Sequence, residues 1–188
     1  MSRSRYKEFY NTVVRADLLS KMQYKNVHQI PRVTQIAVSV ATTLKPSGLD
    51  NPIAAAFMVE LVTGQRAQLT RIKIANARYK VREGFLEGAK TQLHGEQMYD
   101  FMDKLVTTVL PRVTDFNGLK GSSFDGKGNF SLGITDWSYF LELEAQHANL
   151  QHLDLQNTPG IGVVVRTSAQ TDDEARLLLS ALRFPFRR

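Results

Sequence analysis

The hydrophobic and polar positions of this chain follow a helical period first and a strand period next. Apolar residues recur every three or four positions from residue 6 to residue 22, which predicts an amphipathic helix. After a turn, Ile36, Val38 and Val40 alternate with small or polar residues. This alternation predicts a strand that buries one face and exposes the other.

A second helix is predicted after a loop at residues 44–52. Pro52 favours the first turn of a helix, Asp50 or Asn51 can cap it, and Gly64 can end it. We expect the large apolar side chains of this helix to lie in the core: Ile53, Phe57, Met58 and Leu61.

Two strand patterns flank the most basic segment of the chain. Residues 66–72 have the composition of one strand, and residues 88–94 alternate clearly as another. One face of the second strand carries Ala89, Thr91 and Leu93, and the other carries Lys90, Gln92 and His94. The segment at residues 71–84 is therefore predicted to project as a basic loop or hairpin.

A third helix is predicted to stop at Pro111, because proline does not continue a helix comfortably. Its apolar stripe is typical of a core-facing helix and consists of Met98, Phe101, Met102, Leu105 and Val109. A glycine-rich loop at residues 117–129 follows, with tight-turn residues throughout. Apolar side chains on and beside it can hold it against a core, namely Phe116, Leu119, Phe124 and Phe130.

The C-terminal part contains two more strand patterns and a last helix. Residues 130–137 and 161–169 are predicted strands, and the sequence TDDE at residues 171–174 is a capping box that opens the helix. Residues 138–160 hold no lysine or arginine. We expect this acidic stretch to face a protein rather than RNA.

The order of these elements indicates an α+β fold, because strict alternation of strands and helices is absent. We expect a single domain over residues 1–188, with a largely antiparallel sheet and helices packed on one face. The other face would be polar, and a sheet with one wet, basic face is a plausible platform for RNA.

Composition favours a polyanionic partner and argues against cysteine chemistry and against a membrane span. The 188 residues are 43% hydrophobic, which suffices for a core, and the net charge is +6. A surplus of positive charge favours nucleic acid as a partner. The chain has no cysteine, its start lacks a secretory apolar stretch, and no apolar run approaches the roughly 20 residues of a membrane span.

Catalytic and metal-binding patterns are missing from the sequence. His147 and His152 are five residues apart, a spacing that does not place both on one helix face. The glycine-rich loop lacks the spacing of a nucleotide-binding loop, and Asp115 and Asp125 are good turn formers there. We predict no catalytic residue, no metal site and no cofactor.

Seven basic residues lie between residues 66 and 90, against two glutamates. Such a segment can neutralise several phosphates, and phosphate contacts dominate nucleic-acid affinity. A solvated hairpin without a ligand is the alternative. The glycine-rich basic loop is weaker support for phosphate binding, since an ordinary surface loop has the same composition.

The string PRVTDFNGLKGSSFDGKGNFSLG, at residues 111–133, resembles the fifth protein of the large ribosomal subunit, the family that binds 5S rRNA. Further matching strings are KVREG, AKTQLHGEQMYDF and the C-terminal TSAQTDDEARLLLSALRFPFRR, so the resemblance runs from about residue 6 to residue 188. It implies a structural, non-catalytic protein of the central protuberance, with rRNA, peptidyl-site tRNA, the small-subunit head and neighbouring ribosomal proteins as partners.

The resemblance also implies roles for individual residues. It suggests Ser39, Gln65, Gln92 and His94 as rRNA-binding positions. The polar strand face, the basic segment and the long loop add Arg66, Lys90, Arg112, Lys120, Lys127 and Asn129 to the predicted rRNA contacts. The tRNA-facing loop would use Arg71, Lys73, Arg78, Lys80 and Arg82. This chain departs from the family where Ser39 replaces an asparagine and Gln92 replaces a threonine, both RNA contacts.

These departures leave an alternative open: a protein-interaction module of a mitochondrial ribosome that has lost direct 5S rRNA binding. The string RADLLSKMQYKNVHQIP is similar to the mitochondrial branch of the family. A mitochondrial ribosome is therefore the predicted location, with a plastid or bacterial ribosome as the alternative. An enzyme acting on RNA is the third hypothesis, and no candidate constellation supports it.

Overall fold

A computed structural model describes residues 4–41, 44–45, 48–49, 52–79, 81–114, 116–152 and 160–187. The α-helices are α1 (Arg5–Phe9), α2 (Arg15–Met22), α3 (Pro52–Thr63), α4 (Gly95–Lys104), α5 (Leu110–Arg112), α6 (Leu141–Ala145), α7 (His147–His152) and α8 (Asp172–Ala181). Two π-helical segments, Tyr10–Val14 and Leu105–Val109, join α1 to α2 and α4 to α5. The strands are β1 (Val33–Ala41), β2 (Leu44–Lys45), β3 (Gly48–Leu49), β4 (Gln68–Arg71), β5 (Leu86–Leu93), β6 (Phe130–Ile134) and β7 (Ile161–Thr167).

A five-stranded antiparallel sheet has the order β4-β5-β1-β7-β6, which confirms the predicted α+β class. In β1, Ile36, Val38 and Val40 are buried while the residues between them are exposed or half-buried. The alternation in the sequence thus gives the strand one buried face and one solvent-exposed face, which we call the wet face. The predicted loop at residues 44–52 contains a short antiparallel pair, β2 with β3, which the sequence did not indicate.

The chain forms two compact units. Unit 1 comprises Met1–Ile36, Leu93–Leu132 and Val164–Arg188, and unit 2 comprises Ala37–Gln92 and Gly133–Val163. The core of unit 1 contains the predicted stripe of the third helix, since Met98, Met102 and Leu105 are almost fully buried. The single-domain interpretation stays a prediction.

The core of unit 2 corrects the expectation for α3. This helix buries a face of small and medium side chains: Ala54, Ala55, Met58, Val59 and Val62. Ile53, predicted to be core, is 63% exposed, whereas Phe57 and Leu61 are half-buried. Because nearly the whole of α3 is apolar, hydrophobicity alone could not select its buried face. The proposed caps Asp50 and Asn51 lie outside the described residues.

The prediction that the third helix stops at Pro111 is wrong. Helical structure continues through Pro111 to Arg112 in the short helix α5. A proline ring normally conflicts with the carbonyl four residues earlier. The turn before it is π-helical, and its hydrogen bonds reach one residue further along the chain, which relieves this conflict.

Candidate nucleic-acid interface

The wet face of unit 2 presents a polar surface built from β1 and β5. Ser39, Lys90 and Gln92 are exposed, as their alternation with buried neighbours predicts. Lys90 pairs with Gln68 of β4 across the antiparallel ladder. A Cβ atom on Gly162 of β7 would stand 3.1 Å from the Ser39 Oγ, so β7 presents bare backbone beside Ser39. These positions form a shallow face with a lysine and amide side chains.

Gln65 and Arg66 lie between α3 and β4 in the same unit. Gly64 ends α3 with a φ of 67°, a left-handed conformation that glycine adopts without strain. The hydroxyl of Thr91, on β5, donates to the Arg66 carbonyl at 3.5 Å. Arg66 is exposed and Gln65 is half-buried. The geometry therefore brings Arg66 beside the strand that carries Lys90 and Gln92.

His94 belongs to unit 1 and lies at the N-cap of α4. Its Nδ1 atom is 3.4 Å from the carbonyl oxygen of Thr34. Because a carbonyl only accepts, this contact requires the proton on Nδ1, which leaves Nε2 as an acceptor in the neutral ring. The side chain is exposed. His94 is thus oriented by backbone and keeps a hydrogen-bonding nitrogen for a partner.

The basic loop of residues 71–84 connects β4 and β5, two antiparallel neighbours, as predicted. An antiparallel bridge joins Asn76 to Val81, and Gly84 turns the chain back with a φ of 83°. Ile74, the fourth residue of this loop, is 82% exposed. The exposed cations of the loop are Arg71, Lys73, Arg78 and Arg82. Lys80, the remaining predicted contact, lies outside the described residues.

The glycine-rich loop is held from within unit 1 by a carboxylate. The backbone N–H groups of Gly126 and Gly128 donate to the two carboxylate oxygens of Asp172, at 3.0 and 2.8 Å. Asp172 opens α8, 44 residues beyond Gly128 in the chain. The donors that could have cradled a phosphate therefore already bind an anion. Any RNA contact of this loop rests on its side chains.

Asp125 organises the same turn. Its Oδ1 atom accepts from the backbone N–H groups of Lys127 and Asn129, at 2.8 and 3.0 Å, and its Oδ2 accepts from the Asn129 amide at 2.7 Å. The hydrogen bonds from Asn129, followed by that from Lys127, lower the pKa of the Asp125 carboxyl. Asp115, the other predicted turn aspartate, lies outside the described residues.

Of the predicted long-loop contacts, Lys120 and Lys127 are exposed and Arg112 is half-buried at the end of α5. Asn129 is used internally at both ends, since its Oδ1 accepts from the Thr167 N–H at 3.4 Å and its amide donates to Asp125. The loop is also packed as expected. Phe124 and Phe130 lie with their ring centroids 5.0 Å apart, and both contact Phe186 of the C-terminal segment.

Sequence reasoning missed Asp172 as the residue that holds the loop. The capping box identified the start of α8 correctly, and the Thr171 hydroxyl accepts from the Glu174 N–H at 3.4 Å. The Glu174 carboxylate accepts from Gln170 rather than from the cap residue itself. The only available signal was the pair of aspartates inside TDDE, because a capping box fixes only its first and fourth residues and does not require either aspartate.

Within the described residues, no group of three or more metal-ligating side chains converges on one point. The ring of His147 faces Trp137, at 5.5 Å between centroids, and not a carboxylate cluster. Among the helices of the described part of the chain, none has the length and apolar character needed to cross a bilayer.

Comparison with known families identifies the chain. The family model for the C-terminus of the ribosomal L5 proteins matches residues 87–186, more than half of the 188 residues. This is a family of structural proteins rather than enzymes, and it implies ribosomal RNA and ribosomal proteins as partners. The chain therefore belongs to the ribosomal L5 family and is a structural component of a large ribosomal subunit.

Proposed function

We propose that this protein binds 5S or equivalent rRNA in the central protuberance through the wet strand face of unit 2. The observation that carries the proposal is the exposure of Ser39, Lys90 and Gln92 on one shallow face. Lys90 supplies a phosphate contact by charge, while the hydroxyl and the amide supply directional hydrogen bonds to sugar or base. Gln65 and Arg66 extend this surface beside β5.

The basic loop of residues 71–84 is proposed to contact peptidyl-site tRNA. Its exposed cations suit a phosphate backbone. The exposed side chain of Ile74 suits an apolar contact with a sugar or base, since water is a poor environment for it. The glycine-rich loop, with Arg112, Lys120 and Lys127, is proposed to contact rRNA or a neighbouring protein toward the small-subunit head. None of these roles requires catalysis.

Binding of purified protein to 5S rRNA and to an unrelated structured RNA, each over a salt series, tests the proposal. We expect selective binding of 5S rRNA. K90Q should reduce the slope of log affinity against log salt by about one, because one phosphate contact is lost. K25Q removes the same charge from an exposed lysine of unit 1 and is the matched control. Equal slopes for K90Q and K25Q would remove Lys90 from the interface.

A mitochondrial ribosome is the proposed location, supported by the resemblance of residues 15–31 to that branch. Sedimentation of the protein with large subunits from fractionated mitochondria is the expected result. Recovery only with plastid or bacterial-type cytoplasmic subunits would contradict it.

A second candidate is a protein-interaction module that no longer binds 5S rRNA directly. Leu141 is 52% exposed at the start of α6, and Glu144 is exposed on the same short helix. An apolar side chain beside acidic ones suits a basic protein partner. If the protein cosediments with ribosomes, shows no selective 5S rRNA binding, and is released by L141S together with E144Q, this candidate replaces the first.

A further inference from the structure

Two exposed arginines of unit 1 lie diagonally from each other where β1 begins beside β7, Arg32 directly before β1 and Arg166 on β7. The Ser168 N–H donates to the Arg32 carbonyl at 2.9 Å, and the Arg32 N–H donates to the Ser168 hydroxyl at 3.0 Å. One step along, the Thr34 hydroxyl donates to the Arg166 carbonyl at 3.2 Å. Arg32 and Arg166 are both exposed. Diagonal neighbours of this kind are about 7–8 Å apart, within reach of long side chains.

No acid within the described part of the chain forms an ion pair with either arginine. Among the described cations of unit 1, three others have carboxylate partners: Arg5 with Asp103, Lys7 with Glu96 and Lys21 with Asp17. The Tyr10 and Tyr99 hydroxyls lie within the field of Arg32, but burial raises the pKa of both, so they are neutral at pH 7. Like charges side by side on a sheet are unfavourable. Arg32 and Arg166 therefore form an uncompensated positive pair.

We propose that Arg32 and Arg166 form a second RNA-backbone site, at which they clamp a phosphate. The planar guanidinium fork matches a phosphate in two-point geometry, and an anion held between two guanidinium groups offsets their mutual repulsion. The His94 Nδ1 donates to the carbonyl oxygen of Thr34, the residue opposite Arg166, and its Nε2 can accept from a ribose hydroxyl.

This site rests on the proposed rRNA binding and deepens it. It lies in unit 1, whereas Ser39, Lys90 and Gln92 lie in unit 2. Neither arginine belongs to the residues that the family resemblance suggested. An RNA backbone is favoured over an acidic protein segment because the chain belongs to a ribosomal family and because the neighbouring His94 offers an acceptor for a ribose hydroxyl, which a protein carboxylate lacks.

The test is a salt series with the double variant R32Q/R166Q, the control R15Q/K25Q, and two RNA probes. The probes are 5S rRNA and an RNA duplex of arbitrary sequence. The control removes the same charge from cations of unit 1 that are not adjacent on the sheet. We expect R32Q/R166Q to lower the salt slope for 5S rRNA by about one, because the clamped phosphate is no longer neutralised, and the control to leave the slope nearly unchanged.

A stability measurement separates binding from a structural role. Removing an uncompensated like-charge pair should leave the urea midpoint unchanged or raise it at low salt. A clear fall in the midpoint, or a salt slope equal to that of the control, would overturn the proposal. Polyglutamate serves as a third probe. If R32Q/R166Q loses binding to polyglutamate but keeps binding to RNA, the proposal is also overturned, since the anion at the two arginines would then be a carboxylate.

The duplex separates this proposal from the proposed function. If the wild-type protein shows no preference for 5S rRNA, the proposed function fails. The phosphate clamp still stands in that case if R32Q/R166Q lowers the salt slope on the duplex, and it falls if the slope is unchanged.

Discussion

At the scale of single residues, Asp172 has the largest structural consequence in the glycine-rich loop. Its carboxylate accepts from two backbone N–H groups, those of Gly126 and Gly128. Gly128 is also tightly placed, since a Cβ atom there would stand 2.9 Å from the Ala169 carbonyl oxygen. The loop therefore depends on one distant side chain and on a glycine that no other residue can replace without movement.

Replacing Asp172 with asparagine should destabilise the protein by about 1–2 kcal/mol, because charge-assisted hydrogen bonds are lost and one N–H faces a donor. Urea unfolding measures this. Asp173→Asn is the control, since Asp173 is exposed in the same first turn of α8. It should cost no more than about 0.5 kcal/mol. Equal effects would mean that charge near the helix start matters and the loop contact does not.

Local sequence patterns predicted which side chains are exposed, but they did not predict contacts between residues far apart in the chain. The alternation around Lys90 correctly placed Gln92 and His94 on the wet side. The contact between Asp172 and Gly128 joins positions 44 apart. No periodicity encodes such a pairing, because it depends on the fold bringing the start of α8 to the loop. The same holds for Arg32 and Arg166.

At the scale of elements, β5 is fixed by a glycine at an irregular pairing. The register between β4 and β5 shifts between Thr70 and Arg71, whose partners are Gly88 and Leu86. A Cβ atom on Gly88 would stand 2.2 Å from the carbonyl oxygen of Val40 in β1. Backbone atoms cannot move aside without breaking the ladder. Gly88 is therefore required for β1 and β5 to approach each other.

Gly88→Ala should cost about 1–3 kcal/mol, the usual range of overpacking, at the upper end of it because the clash is with backbone. Gly133→Ala in β6 is the matched control within unit 2, since a Cβ atom there meets nothing within 4 Å. The control should be neutral or slightly stabilising, because alanine restricts the unfolded chain. Thermal unfolding of both variants checks this. A mild effect at Gly88 would show that β5 can shift away from β1.

The elements whose prediction failed share a physical cause. The helix through Pro111 needed a π-helical turn before the proline, and the buried face of α3 depended on which side its neighbours cover. Both outcomes follow from tertiary packing, which overrides local propensity. The five strands of the sheet were predicted from their patterns, because alternation fits only one pleated arrangement, whereas the two-residue strands β2 and β3 are too short to show a pattern.

At the scale of the whole molecule, buried tyrosines make unit 1 sensitive to alkaline pH. Burial, and then the neighbouring Tyr10, raises the pKa of Tyr99 to about 12, although Arg32 opposes this. Burial likewise raises the pKa of Tyr6, whose hydroxyl donates to the Leu182 carbonyl. An unfolded tyrosine ionises near pH 10. Between about pH 10 and 12 the unfolded chain therefore holds fewer protons than the folded one.

Stability should consequently be complete below about pH 10 and fall as the pH rises toward 12. Tyr99→Phe should weaken this dependence, because the ring stays buried and no proton is lost from it. Urea midpoints across the alkaline range, with ultraviolet titration of tyrosinate, measure both effects. A pH dependence that is unchanged in the phenylalanine variant would assign the alkaline loss to other groups.

The predicted single domain can be tested by comparing probes of the two units. Trp137, the single tryptophan of the chain, is buried in unit 2 and reports its unfolding by fluorescence. In a Trp137→Phe variant, the near-ultraviolet dichroism comes mainly from unit 1, which holds four of the six tyrosines, and reports the unfolding of that unit. We expect coincident urea transitions, because β1, β5, β6 and β7 each contribute residues to both units. Two separated transitions would mean two domains.

The carboxylate of Asp172 in the glycine-rich turn has a consequence for assembly. Because the Asp172 carboxylate already binds the N–H groups of the turn, the backbone conformation of the loop forms without RNA. Ordering a mobile loop on association costs entropy, at roughly 0.5–1.5 kcal/mol for each immobilised side chain alone. In this protein the conformational entropy of the loop backbone is lost when the free protein folds, and not when it associates with a partner. Lys120 and Lys127, the proposed contacts of this loop, would then bind a ribosomal partner from a backbone that is already ordered, and binding would order only their side chains.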